Sequence, residues 1–337
     1  MRRLALLPLL LGLASCGTCG GGRGVGGPTP YVRCMAVEAP AEGERTIGRT
    51  RVSVSGRVAT LAGLPSPVRI AAFRGAGDAT GGLAAAIEGV REQGVGLVLV
   101  LGGLGSDEAR VATHLEAFGR LGVPTFVMVG GDDVAEAVHD AFADRPAEGP
   151  VIDARGLRAL RFGNDVLLLA SGAVDGRYAA SDAHCGANED DLEEVEAEAR
   201  GAGRAFLASW TAPSGGGAAA VGRGFAGIDA GDPAIARLAS AAHARGGIFA
   251  WPATRALRPS NDQGAAVLPV GTADPGLRLV VARIAGAGEE SDDGALVPPA
   301  AALLELGPGG LAFVGTAVAG TPESAAETGP SAGPGAP

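Results

Sequence analysis

"GVPTFVMVGGDD", residues 122–133, reads as a loop with a proline, a buried strand and a glycine turn that ends on two carboxylates. A short continuous apolar run bounded by Pro and Gly marks a strand covered on both faces. The stretch after it, "DDVAEAVHDAF" (132–142), has helical spacing. The same order appears twice upstream. "VRIAAF" (68–73) leads through a Gly-rich turn into "GGLAAAIEGVREQG" (81–94), and "VGLVLVLGG" (95–103) leads into "SDEARVATHLEAFGRLG" (106–122). Strand, glycine turn and helix, three times over, predict an α/β sheet with parallel strands.

Working outward, "RVSVSGRVATL" (51–61) alternates apolar and polar residues like an edge or antiparallel strand. Later strands are expected in "RALRFGNDVLLLAS" (158–171, a hairpin around Gly163-Asn164), "RAFLAS" (204–209) and "GGIFAW" (246–251). Region 264–317 reads as closing antiparallel strands, and 320–337 is a low-complexity tail. In such sheets function sits at the C-terminal strand ends. Those ends are "FRGAGD", "LGGLGSD", "VGGDD", "ASWTAPSG" and "FAWPATR". "GGLGSDE" fails the dinucleotide-loop pattern, because Glu108 stands where the last Gly belongs. No organic cofactor is expected.

The N-terminus carries a different message. "MRRLALLPLLLGLASC" has two Arg, an apolar stretch too short to span as a mature helix, and small residues before Cys16. It reads as an export signal (1–15), and "LASC" resembles the bacterial lipobox, in which the Cys becomes the lipid-bearing first residue. A Gly/Pro-rich tether (16–50) then leads to the main domain (51–319). The expectation is an exported protein anchored in the bacterial envelope through lipid on Cys16, each buried CH₂ contributing about 0.8 kcal/mol. Net charge −10 excludes a sequence-independent nucleic-acid binder. All 27 basic residues are Arg, and Gly numbers 57, a composition that fits a GC-rich genome more simply than an Arg-specific surface. The acidic run 188–200 reads as a solvated helix face. In an oxidising envelope a disulfide is expected. Cys34–Cys185 is the chosen pair because Cys19 lies in the tether, though spacing alone does not decide connectivity.

The five strand ends, in order, resemble the motifs of the calcineurin-like metallophosphoesterases over about residues 68–260. The resemblance implies an αββα sandwich of mixed sheets and, in active members, two divalent metal ions such as Mn, Fe or Zn. In this chain Arg74 falls at the first motif's Asp and Ala76 at its His. Gly103 falls at the bridging Asp of the second motif, with Ser106 at its other Asp and Asp107 one residue late. Gly131 replaces Asn and Asp132 replaces His in the third, while Asp133 matches its last position. Trp210 stands at the lone His, and Trp251 or Pro252 at the first His of the last motif. Two metals that activate water and stabilise phosphoryl charge need converging imidazoles and a bridging carboxylate. The four histidines, His114, His139, His184 and His243, all lie off the motifs.

The resemblance therefore implies a fold without its chemistry: no catalytic residue, no cofactor, no metal, and a binding or structural role with an unidentified envelope partner. The alternatives are an active phosphoesterase with divergent ligands, or generic α/β geometry around an unrelated site. Locally, Asp132 and Asp133 read as helix N-cap and first-turn residues, as do Asp107 and Glu108. Arg74 is either a surface side chain or the counterion of Asp132. His114 and His139 read as structural residues of amphipathic helices. Trp210 and Trp251 are expected to refill the vacated cleft as one cluster, with Arg74 nearby.

Overall fold

The computed structural model describes residues 32–318 apart from 76, 147, 181 and 182. Cys16, Cys19, Ala76, the export signal and the C-terminal tail therefore lie outside the described residues. In chain order the first strands are β1 (Val32–Arg33), β2 (Gly43–Ile47), β3 (Thr50–Ser55), β4 (Val58–Ala62), β5 (Val68–Phe73), β6 (Leu97–Leu101) and β7 (Thr125–Met128). Next come β8 (Val151–Asp153), β9 (Ala159–Phe162), β10 (Asp165–Ala170), β11 (Cys185–Gly186), β12 (Arg204–Thr211) and β13 (Gly246–Trp251). The last are β14 (Ala273–Asp274), β15 (Arg278–Val280), β16 (Glu289–Glu290), β17 (Leu296–Val297), β18 (Ala300–Gly307) and β19 (Gly310–Val318). The α-helices are α1 (Leu83–Glu92), α2 (Glu108–Gly119), α3 (Ala135–Ala143), α4 (Glu189–Ala197) and α5 (Pro233–Ala241).

Two mixed sheets carry the fold. One has the order β15-β13-β12-β10-β9-β4-β3-β2, the other β14-β19-β18-β5-β6-β7-β8. Side-chain parity shows how they stack. Leu97, Leu99 and Leu101 of β6 face a core shared with Phe206, Ala208 and Trp210 of β12, whereas Val98 and Val100 pack against α1, α2 and α3. On the other side, Leu207 and Phe249 pack against α4 and α5. Strands buried on both faces need apolar residues at nearly every position, which is why β5, β6 and β7 read as mostly apolar runs, Arg69 of β5 being the exposed exception. The architecture is an αββα sandwich of mixed sheets.

Several local readings change. "RVSVSGRVATL" is two strands, β3 and β4, turning at Gly56, which has φ +54°. β15 lies parallel to β13 instead of closing the sheet antiparallel, whereas β18 and β19 are the expected antiparallel pair. Part of the supposed tether is structured: β1, a 3-10 turn at Cys34–Ala36, and β2 precede residue 51. Its Gly/Pro-rich composition hid a β2–β3 hairpin that turns at Gly48.

A disulfide joins Cys34 to Cys185, with Cα atoms 5.2 Å apart and 151 residues separating them in sequence. Beside it, β1 pairs with β11, and Arg33 bonds the buried Asp191 at 2.8 Å. Closing so long a loop removes much unfolded-state freedom. Cys185→Ala is expected to destabilise by about 2–4 kcal/mol, read as a lower urea midpoint. An unchanged midpoint would show that the strand pairing and the ion pair hold the N-terminal segment alone.

Candidate functional site

The C-terminal ends of β5, β6, β7 and β12 converge, and glycine is what lets them do so. β6 runs into Gly102, Gly103 and Gly105, at φ +98°, +77° and +129°, conformations that disfavour any Cβ. Gly75 N donates to Gly102 O at 2.7 Å and Gly77 N to Gly103 O at 2.8 Å. The approach leaves no room between loops. A Cβ at Gly75 would lie 2.1 Å from Gly103 O, and one at Gly102 would lie 2.3 Å from Gly130 N.

Asp133 ties these loops together. It is fully buried, and its carboxylate accepts from Gly103 N at 3.0 Å, Leu104 N at 2.6 Å and Gly130 N at 2.7 Å. It is not a cap of α3, whose N-cap is Val134 with no side-chain capping bond. Nor does Asp132 cap that helix. Burial, then the neighbouring Asp132 charge, push Asp133 up to about 7, against the three N–H donors that favour its ionised form. Burial also raises Asp132, opposed first by Arg74 and also by His184 and Arg283.

Arg74 is buried, at 2% exposure, so it is not a surface side chain. Its guanidinium forms an ion pair with Glu289, which also pairs with Arg283 at 3.2 Å. Burial lowers Arg74 to about 10, with the Asp132 charge holding it up and Arg283 pressing it down. Two guanidinium groups and two carboxylates thus share the strand ends, and Asp132 is only one of the counterions. A bridge between Arg74 and Arg283 and a bond from Arg74 N to Ala282 O fix the backbone there.

Trp210 closes the cluster. It is 3% exposed, its Nε1 donates to Tyr178 O at 3.3 Å, and the Arg74 guanidinium carbon stands 6.0 Å from its ring centre. The indole lies directly on Gly130: a Cβ there would come within 2.1 Å of Trp210 Cε3. Gly131 is equally confined, with Tyr178 O 1.9 Å from the position of a Cβ. Trp251 does not join the cluster. It is 39% exposed and pairs with Thr211, one residue beyond Trp210, so its side chain has the parity of Phe249 on the opposite face of the sheet. The expected two-tryptophan cluster is therefore replaced by Trp210 alone, with Arg74 beside it.

The donor set does not fit a binuclear metal centre. Among the described residues no group of three or more His, Cys, Asp or Glu side chains could hold a metal ion. The motif positions instead present a guanidinium at 74, close-packed glycines at 103 and 131, and an indole at 210.

The chain is similar in architecture to solved structures of low identity. TT1561 of Thermus thermophilus is 12% identical over 75% of this chain and 100% of that one, with TM-score 0.48. A purple acid phosphatase from yellow lupin (Lupinus luteus) seeds is 12% identical over 76% of this chain and 54% of its own, with TM-score 0.43. GAP50, the anchor in the inner membrane complex of Plasmodium, is 10% identical over 72% of this chain and 82% of its own, with TM-score 0.45. No family profile and no curated protein sequence matches the chain. The likeness is one of fold.

The remaining candidates disperse. Asp107 caps α2 by accepting from Arg110 N at 3.1 Å, and its exposed carboxylate pairs with Arg110 Nε at 2.8 Å. Ser106 donates to Asp78 on the same surface. His114 is buried in α2, its Nδ1 3.0 Å from Arg110 O, while His139 is exposed on α3. Reading the sequence alone missed Glu289, Arg283, Tyr178 and His184 as neighbours of the cluster. The acidic "GEESDD" (288–293) was a signal for Glu289, but nothing local pairs it with Arg74.

Proposed function

We propose that this chain is a phosphoesterase-like domain without phosphoesterase chemistry, held by lipid on Cys16 at the bacterial envelope, where it serves a binding or structural role. One observation carries the reading: the buried Arg74 guanidinium, paired with Glu289 and stacked beside Trp210, stands where the resemblance calls for a metal-binding Asp. A fixed positive charge there repels divalent cations. Closure of the glycine loops around Asp133 supports the same reading, since it leaves backbone and indole in the space that ligands would need. The anchor rests on the "LASC" motif. Among the described residues no helix is long and apolar enough to cross a membrane.

Purified protein is expected to bind no stoichiometric Mn, Fe or Zn. It should show no chelator-sensitive hydrolysis of phosphomonoesters or phosphodiesters when Mn²⁺ is added. Turnover that follows the protein through purification and is abolished by a chelator would instead establish an active enzyme with divergent ligands. Cys16→Ser should move the protein out of the washed membrane fraction, and its retention there would refute lipid anchoring.

A further inference from the structure

The outer face of α5 borders a groove of about 400 Å³ that takes no part in the strand-end cluster. Ser214, Ser240, His243, Arg245, Asp262 and Arg278 line it. Its charges are unbalanced. Arg245 Nε bonds Asp262 at 2.6 Å, which satisfies one cation with the only carboxylate among the described residues of the lining. Arg278 lies in the same carboxylate's field, yet among the described residues its guanidinium donates one hydrogen bond, from Nε to Arg245 O at 2.9 Å. The lining side chains carry one more cation than carboxylate, while Asp274, outside the lining, also acts on Arg245.

His243 adds an independent argument from backbone conformation. α5 ends at its C-cap Ala242, and His243 follows with φ +52°. Ala244 N donates back to Ala239 O at 2.8 Å, the closing bond of a helix end that favours glycine in the left-handed position. After α1 the chain places Gly94 there, at φ +62°. A sequence holding 57 glycines accepts a strained His at the equivalent position after α5, and that His opens onto the cationic groove. Ala226 and Leu257 also hold a positive φ away from this groove, so the conformation of His243 is compatible with a ligand role for its side chain without requiring one.

We propose that this groove binds a small molecule through an oxyanion, a phosphate or carboxylate group held between Arg245 and Arg278 with the His243 imidazole as a further donor. Arginine forks match such groups with paired N–H donors, and Asp262 keeps Arg245 oriented toward the site. The two serine hydroxyls supply neutral contacts at the rim.

Titration of the full-length protein with inorganic phosphate, and separately with citrate, tests this at physiological salt. The imidazole resonance of His243, assigned by its loss in His243→Gly, is expected to shift saturably with at least one anion. Response to phosphate alone would identify a phosphate-bearing ligand, and response to citrate alone a carboxylate. Arg278→Gln should weaken binding about tenfold, as loss of one charge-assisted contact does. His243→Gly should raise the melting temperature by relieving the left-handed strain, while weakening binding measured by calorimetry. The proposal fails if neither anion gives a saturable shift, if Arg278→Gln binds as tightly as the parent, or if His243→Gly melts lower.

Discussion

Introducing the ligand types that the resemblance calls for is expected to destabilise the protein strongly, not to create a metal centre. In Gly131→Asn the new Cβ would meet Tyr178 O at 1.9 Å, a backbone atom whose residue also receives the Trp210 N–H. Neither partner can yield without moving the loop after β10. Overpacking of this kind costs about 1–3 kcal/mol, occasionally more, and here the clash is with backbone, so the upper end applies. Gly103→Asp meets two penalties. Its φ of +77° suits glycine, and its Cβ would stand 2.9 Å from Gly75 O. The added carboxylate would also enter a region where Asp133 is already buried with its charge opposed by Asp132. Strain and overpacking together amount to about 3–5 kcal/mol for this single change. The double variant would therefore lose a large part of the roughly 5–15 kcal/mol that stabilises a typical domain. Urea titration monitored by tryptophan fluorescence reads the effect. Gly131→Ala is the control: if the clash is the cause, it should lose nearly as much as Gly131→Asn. A double variant with the parent midpoint and a bound pair of Mn ions would show that the loops can reopen and that the pseudoenzyme reading is wrong.

The two tryptophans are expected to differ sharply. Trp210→Ala removes a buried ring that spans the gap between the end of β12 and Gly130 of the opposing sheet. It leaves a cavity beside a guanidinium that cannot collapse into it. A loss of about 3–5 kcal/mol is expected, typical of large aromatic truncations in cores. Trp251→Ala, at 39% exposure, should cost less than about 1 kcal/mol, in the manner of surface substitutions. Equal losses at both positions, read from urea midpoints under identical conditions, would contradict the opposite-face arrangement. Phosphohydrolase activity is expected to be nil in both variants as in the parent.

Much of the scaffold was legible in one dimension because it rests on local rules. The mostly apolar runs of β5, β6 and β7, each followed by a glycine turn and a helical period, announced parallel strands covered on both faces. The hairpin at Gly163-Asn164 was equally readable from its turn residues. Boundaries that depended on composition failed, as in the tether region, where β1 and β2 are held in place by strand pairing and by a disulfide to a residue far along the chain. The site was legible only as a loss. The resemblance implied, from glycine and arginine at its motif positions, which ligand types are absent there, but not which contacts those residues make.

What the sequence determined by itself was therefore periodicity, turn chemistry and the identity of the side chains at each strand end, all properties of short windows. Tertiary structure alone decided their partners. Asp132 and Asp133 are neighbours in sequence, yet one lies in the field of Arg74 and the other clamps three backbone N–H groups from two different strand ends. Arg74 meets Glu289 because Arg283 pairs alongside it, a register that no local pattern encodes. Trp210 and Trp251 part company for the same reason: in a strand successive side chains face opposite ways, so pairing Trp251 with Thr211 sends one indole into the core and the other toward solvent.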